Sequence, residues 1–123
     1  MNLRYIETDE FQRDFKRLLK RYRTLYEDFD RMKRLAIELF HIRKINNDSC
    51  FQIPEFSDEN VIFFKVKKFA CRCLKGGSKS GLRVIYAYQE KPSIITFIEI
   101  YHKNEKENND YDRLKHFIKT LKK

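Results

Sequence analysis

Between residues 65 and 83 the chain carries seven basic side chains, Lys65, Lys67, Lys68, Arg72, Lys75, Lys79 and Arg83, and no acidic one. The same stretch holds all three glycines of the protein, Gly76, Gly77 and Gly81, in the heptapeptide KGGSKSG, and runs straight into the apolar segment 83–88. Backbone freedom is therefore concentrated in one turn, and that turn feeds a strand. The other segments together hold 20 basic against 18 acidic residues, so seven of the nine net positive charges sit here. A flexible basic turn joined to a strand suits a polyanion, because backbone N–H groups and cationic side chains can converge on phosphate there. The competing reading is a solvated hairpin.

At 123 residues and 41% hydrophobic content, the chain is expected to form a single domain over 1–123 with one modest core. No apolar run approaches the ~20 residues that cross a bilayer, and the start MNLRY lacks the apolar core of a secretory signal, so a cytoplasmic protein without membrane contact is expected. Three cysteines are an odd number and fit reduced thiols better than a disulfide framework. Cys71 and Cys73 share a face if they lie on a strand, and Cys50 is remote in sequence. With His41, His102 and His116 they form no Cys-x-x-Cys or matching His pair, so no metal site and no cofactor are expected, and the thiols read as small buried hydrophobes.

Along the chain, Leu3 to Ile6 is compatible with a short strand. Thr8 is placed to cap a helix whose first turn holds Asp9 and Glu10, and Phe11, Phe15, Leu18, Leu19 and Tyr22 share one face of it. The TLYE sequence at 24–27 fits a capping box for a second helix bearing Tyr26, Phe29, Met32, Leu35, Ala36, Leu39 and Phe40, and the short link predicts an antiparallel helical hairpin. Residues 42–60, polar with Pro54 and the acidic Glu55, Asp58 and Glu59, read as a long loop. Strands are expected over 61–74, 82–89 and 93–102. A final helix, capped by Asn109 or Asp110, would bury Leu114, Phe117, Ile118 and Leu121.

These elements predict an α+β fold: an antiparallel-rich four-stranded sheet with the N-terminal helical hairpin packed on one face, and a C-terminal helix. Strict alternation puts Arg83, Ile85 and Ala87 opposite Val84, Tyr86 and Tyr88, and Ile94, Thr96, Ile98 and Ile100 opposite Ile95, Phe97, Glu99 and Tyr101. Aromatic rings beside cations can stack bases and hold phosphates, as an RNA-binding cleft requires, although aromatics of central strands also serve as core.

The order of elements, with KSGLRVIY at 79–86 and FIEIYHKNE at 97–105, resembles the RelE/ParE superfamily of bacterial toxins, and within it the HigB-like and RelE-like mRNA interferases. The resemblance covers about residues 61–106 most firmly. It implies a RelE-like fold and the toxin of a type II toxin–antitoxin system: a ribosome-dependent endoribonuclease that cleaves mRNA and inhibits translation. Its partners would be the ribosome, mRNA and a cognate HigA-like or RelB-like antitoxin. The alternatives within the resemblance are a ParE-like gyrase-inhibiting toxin and a non-catalytic relative that binds RNA or protein.

By the same resemblance, Arg83 matches the catalytic arginine, with Lys79 and Lys103 as further catalytic cations, and Arg72, Lys75, Lys68, Tyr86 and Asn104 as RNA-binding residues. Where RelE has an arginine after the lysine that ends the last strand, this chain has Asn104 after Lys103, the HigB-like form. Tyr111 lies near the position of the C-terminal catalytic tyrosine. RNA cleavage by its own 2′-hydroxyl needs a proton acceptor, a donor for the 5′-oxygen and positive charge for the transition state. Clustered lysines can produce a neutral amine as base, and His102 is the alternative because its ordinary pKa lies near neutrality. On a strand His102 would share the side of Ile100, where packing competes with catalysis.

Overall fold

The computed structural model describes residues 2–46, 48–67, 69 and 81–121. Their order is β1 (Arg4–Glu7), α1 (Asp9–Leu19), α2 (Leu25–Met32), a π-helical stretch (Lys33–Glu38), α3 (Leu39–His41), β2 (Cys50–Ile53), β3 (Ile62–Val66), β4 (Leu82–Gln89), β5 (Ile94–His102) and α4 (Tyr111–Leu121). The strands form one sheet in the order β1-β5-β4-β3-β2, with β1 parallel to β5 and the other neighbours antiparallel.

The α+β class and the four expected strands are present, but the sheet has a fifth. Cys50–Ile53 pairs with β3 inside the segment that composition assigns to a loop. It is an edge strand of four residues whose ends, Cys50 and Ile53, are buried on opposite faces while Phe51 and Gln52 are exposed. So short a strand gives no period-two signal. Of the strand expected over 61–74, Ile62–Val66 is strand, and residues 68 and 70–74 lie outside the described residues.

Helix α1 begins where its sequence dictates. The Thr8 hydroxyl accepts the Phe11 N–H at 3.1 Å, and Asp9 and Glu10 sit at the positive helix end. Phe11 and Leu18 are buried against the sheet with Phe15 and Leu19 beside them. Residues 20–24 lead into α2, where the Thr24 hydroxyl donates to Asp28 at 2.6 Å. The expected single second helix is instead interrupted: it widens into π-helical geometry at Lys33 and resumes as α3 at Leu39. Glu38, the last π-helical residue, accepts the Tyr5 hydroxyl of β1 at 2.8 Å.

Phe97 of β5 is the hub of the helix-side core. Its ring lies 5.3 Å from Phe11, 4.9 Å from Phe29 and 5.8 Å from Tyr5. Each such burial stabilises the fold by about 1.5–3 kcal/mol. The opposite face of the sheet carries a smaller core of Ile53, Phe63, Ile85, Ile98 and Leu114, onto which α4 packs. Asp110, one of the two expected caps, accepts the Asp112 N–H at 3.0 Å. Leu114 is buried and Phe117 and Ile118 partly so, whereas Leu121, expected in the same stripe, is exposed on the last turn. Arg113 ties this helix to α1, donating to Asp14 at 2.6 Å and to the Ile98 carbonyl at 3.1 Å.

Candidate functional site

Strict alternation fails in β5, and the site depends on that failure. Ile85 pairs with Glu99 but Tyr86 pairs with Phe97, so Ile98 is an extra residue in a β-bulge. Before the bulge, Ile95 and Phe97 face the helices; after it, Ile100 does, and Tyr101 faces the α4 side. Glu99 and Tyr101 are thereby turned away from Phe97, with which an unbroken alternation would group them.

The registers then place three strands side by side. Lys65 of β3 is opposite Ile85 of β4, which is opposite Glu99 of β5; one row on, Arg83 is opposite Tyr101. Lys67 stands beside Arg83, whose Nη1 donates to the Lys67 carbonyl at 3.1 Å and to the Leu82 carbonyl at 3.2 Å. Both bonds use Nη1, so among the described residues Nε and Nη2 carry no protein hydrogen bond and are open to a ligand.

Lys65, Lys67, Arg83, Tyr101, Lys103, Asn104, Glu107 and Asn108 line a pocket of about 380 Å³ at this end of the sheet. Its far wall is the segment that follows β5, anchored by the Lys103 N–H donating to the Gly81 carbonyl at 2.9 Å. Gly81 has φ +89°, and a Cβ there would meet the His102 ring at 2.8 Å, so only glycine allows this approach.

Burial lowers the pKa of Lys65, and the neighbouring Lys67 and Arg83 lower it further, against opposing pulls from Glu99 and Glu55. Its neutral amine is thus more accessible than that of an ordinary lysine. Tyr101 is 2% exposed. Burial, helped by Glu99 and Tyr111 and opposed by Arg83, pushes its pKa up to about 12, so its hydroxyl remains a proton-carrying donor at neutral pH.

Of the residues picked out in the sequence, Arg83, Lys103 and Asn104 meet in this pocket. Tyr86 does not. It is 0% exposed in the helix-side core, its hydroxyl 2.7 Å from His41 Nε2, so no base can reach its ring. An aromatic residue next to Arg83 in a motif alternates onto the other face, which is why sequence proximity misleads here. His102 shares the side of Ile100 as expected; its ring stacks on Tyr22 at 6.2 Å and its Nδ1 accepts the Asn104 N–H at 3.1 Å. It therefore buttresses the pocket from behind. Tyr111 opens α4 with its ring 6.4 Å from Phe56, outside the pocket lining. Lys68, Arg72, Lys75 and Lys79 lie outside the described residues.

Sequence reasoning did not single out Lys65, Lys67, Tyr101, Glu107 or Asn108 as site residues. The two-residue spacing of Lys65 and Lys67 signals a shared face, but only the register shows that the face is that of Arg83.

No family model matches the sequence, and no curated protein gives a significant match. Among solved structures, a chain of the archaeal RelE–RelB complex from Pyrococcus horikoshii OT3 is similar, with a TM-score of 0.52 at 10% identity over 84% of this chain and 97% of that one. None of the helices in the described residues is long and apolar enough to cross a membrane. The chain therefore has a RelE-like α+β fold.

Proposed function

We propose that this protein is the toxin of a toxin–antitoxin pair and acts as an endoribonuclease on mRNA held by the ribosome. One observation carries the reading: Arg83, Lys65, Lys67 and Lys103 converge on a single pocket, and one of them, Lys65, has its ammonium form disfavoured. Three cations, Arg83, Lys67 and Lys103, at one end of the sheet suit a phosphate, and Lys65, with its lowered pKa, supplies a base beside them.

In the reaction we envisage, Arg83 spans the non-bridging oxygens of the scissile phosphate with the guanidinium nitrogens that its backbone anchors leave open. The neutral Lys65 amine takes the proton of the ribose 2′-hydroxyl. The 2′-oxygen then bonds to phosphorus while the bond from phosphorus to the 5′-oxygen breaks, and the Lys103 ammonium returns a proton to that oxygen. The products are a 2′,3′-cyclic phosphate and a 5′-hydroxyl end. Tyr101 donates to the charge that develops on the phosphate, and Asn104 faces the RNA. In-line positioning is left to the ribosome. Lys79, with Lys68, Arg72 and Lys75, adds positive charge along the same stretch of sequence.

A basic pocket that harms its own cell requires a protein that covers it. The similar fold comes from a complex with RelB, and an acidic or amphipathic segment of a co-expressed antitoxin is the corresponding partner here.

The deciding experiment is to translate a defined message in a reconstituted system with the protein and map new 5′ ends. Codon-spaced ends that carry a 5′-hydroxyl and arise only during translation are expected. Growth arrest with no new ends, accompanied by loss of gyrase supercoiling, would replace this reading with the ParE-like one.

A further inference from the structure

Glu99 is 1% exposed, an uncommon place for a carboxylate, and the pocket lining does not include it. It stands in the same row as Lys65, with Ile85 between them. Its Oε1 accepts the Asp110 N–H at 2.8 Å, at the entry to α4, and its Oε2 pairs with the Lys106 ammonium. That ammonium lies 5.3 Å from the Tyr101 ring centre. One carboxylate thus grips two points, Lys106 and Asp110, of the segment that carries Lys103, Asn104, Glu107 and Asn108 into the pocket.

We propose that Glu99 is a positioning residue, a buried clamp that fixes the β5–α4 segment as the pocket's far wall and sets the charge balance behind Lys65. The proposal rests on the nuclease reading only for its catalytic consequence; the clamp itself is a property of the fold. Two features support it. The Ile98 bulge is what turns Glu99 to this face, so the irregularity in β5 serves the pocket. Buried charges are retained only with partners, and Glu99 has an N–H donor on one oxygen and the Lys106 counter-charge beside the other, both from this one segment.

The charge side of the proposal has a definite sign. The groups facing Lys65 are Lys67 beyond β3, Arg83 on β4, Glu99 on β5 and Glu55 between β2 and β3. Among them Glu99 and Glu55 favour the ammonium form. Replacing Glu99 by a neutral isostere removes one of these two pulls, so Lys65 should lose its proton at lower pH. Removing Lys106 should do the reverse, because the Glu99 carboxylate then faces Lys65 with less compensation.

The test follows lysine side-chain NMR titration of Lys65, assigned with Lys65→Arg, together with hydrogen exchange at the Asp110 amide and the pH profile of RNA cleavage. In Glu99→Gln the Lys65 midpoint should move down while the Asp110 amide stays protected, since the side-chain oxygen still accepts. In Lys106→Gln, which removes a partly exposed cation and leaves the core intact, the midpoint should move up. Glu99→Ala should exchange the Asp110 amide about tenfold faster, as expected for loss of one hydrogen bond to a charged acceptor. If the protein cleaves RNA, the basic limb of its pH profile should follow the Lys65 midpoint in both directions. An unmoved Lys65 midpoint in Glu99→Gln and Lys106→Gln, or an equally protected Asp110 amide in Glu99→Ala, would overturn the clamp. Absence of cleavage by the wild-type protein would instead overturn the nuclease reading and leave the NMR and exchange results to decide on Glu99.

Discussion

Arg83 owes its usefulness to being half used. Its Nη1 is held by the carbonyls of Lys67 and Leu82, and among the described residues Nε and Nη2 carry no protein hydrogen bond, which is the edge the proposed reaction assigns to phosphate. Arg83→Ala should keep the fold and reduce cleavage by about 2.7–4 kcal/mol of transition-state stabilisation, the scale found for deleting one oxyanion donor. Arg83→Lys should recover little, because an ammonium restores the charge without the planar anchor. Full growth arrest by a well-folded Arg83→Ala protein would exclude the role. His41 poses a different problem of charge. Burial and the neighbouring Lys44 lower its pKa to about 4, and its Nε2 is bound to the Tyr86 hydroxyl. The folded-state value lies below the unfolded one of 6.5, so the unfolded chain takes up the proton first as pH falls. This contribution to stability is complete above pH 6.5, is lost progressively on acidification, and levels off near pH 4 after a cost of about 3 kcal/mol. Denaturant midpoints measured across that window should fall in the wild type and fall less in the His41→Leu/Tyr86→Phe double variant, which removes both polar partners together. Equal slopes in the two proteins would show that His41 does not govern the acid limb.

At the scale of elements, what the sequence disclosed and what it withheld divide along local and non-local physics. Helix α1 was legible because Thr8, the acidic first turn and the Phe11 stripe are all local signals, and each has its expected role. Strands β4 and β5 were legible because Val, Ile, Phe and Tyr concentrate there. Three features lacked a local signal: β2, an edge strand stabilised by pairing with β3; the π-helical stretch at Lys33–Glu38; and the Ile98 bulge. The bulge had the greatest effect on the site, since a one-residue insertion reverses the side-chain alternation downstream. Arg83, Lys103 and Asn104, named from the motif, line the candidate pocket, whereas Lys65, Lys67 and Tyr101 join it only through register. Gly81 joins both kinds of information, because its φ of +89° is needed at the start of β4 and its missing Cβ is needed against His102. Gly81→Ala should cost about 1–2 kcal/mol for the left-handed backbone alone, and more from the clash with the ring. It should also displace Lys103, so cleavage should fall further than the folded fraction does. Unchanged stability and cleavage in that variant would show that the turn tolerates a side chain and that the Gly81 to Lys103 contact is dispensable.

For the whole molecule, the described residues form a sheet covered on one face by the N-terminal helices and on the other by α4, with the candidate pocket at one end of its strands. A net charge of +9 would give only diffuse attraction to nucleic acid if it were spread evenly. The rows of β3, β4 and β5 instead bring Lys65, Lys67, Arg83 and Lys103 to one end, where Tyr101 and Asn104 accompany them. Binding of single-stranded RNA or of the ribosome should therefore depend steeply on salt, and the dependence should trace to these positions. Lys67→Ala and Lys103→Ala should each reduce the slope of log affinity against log salt by roughly 0.7, the value for one phosphate contact on a single strand. Replacing two basic residues outside the pocket lining, Lys16 and Lys20 on and just after α1, should remove the same charge and leave the slope nearly unchanged. Equal losses from the two pairs would mean that binding follows net charge alone and that the pocket is not where the nucleic acid sits.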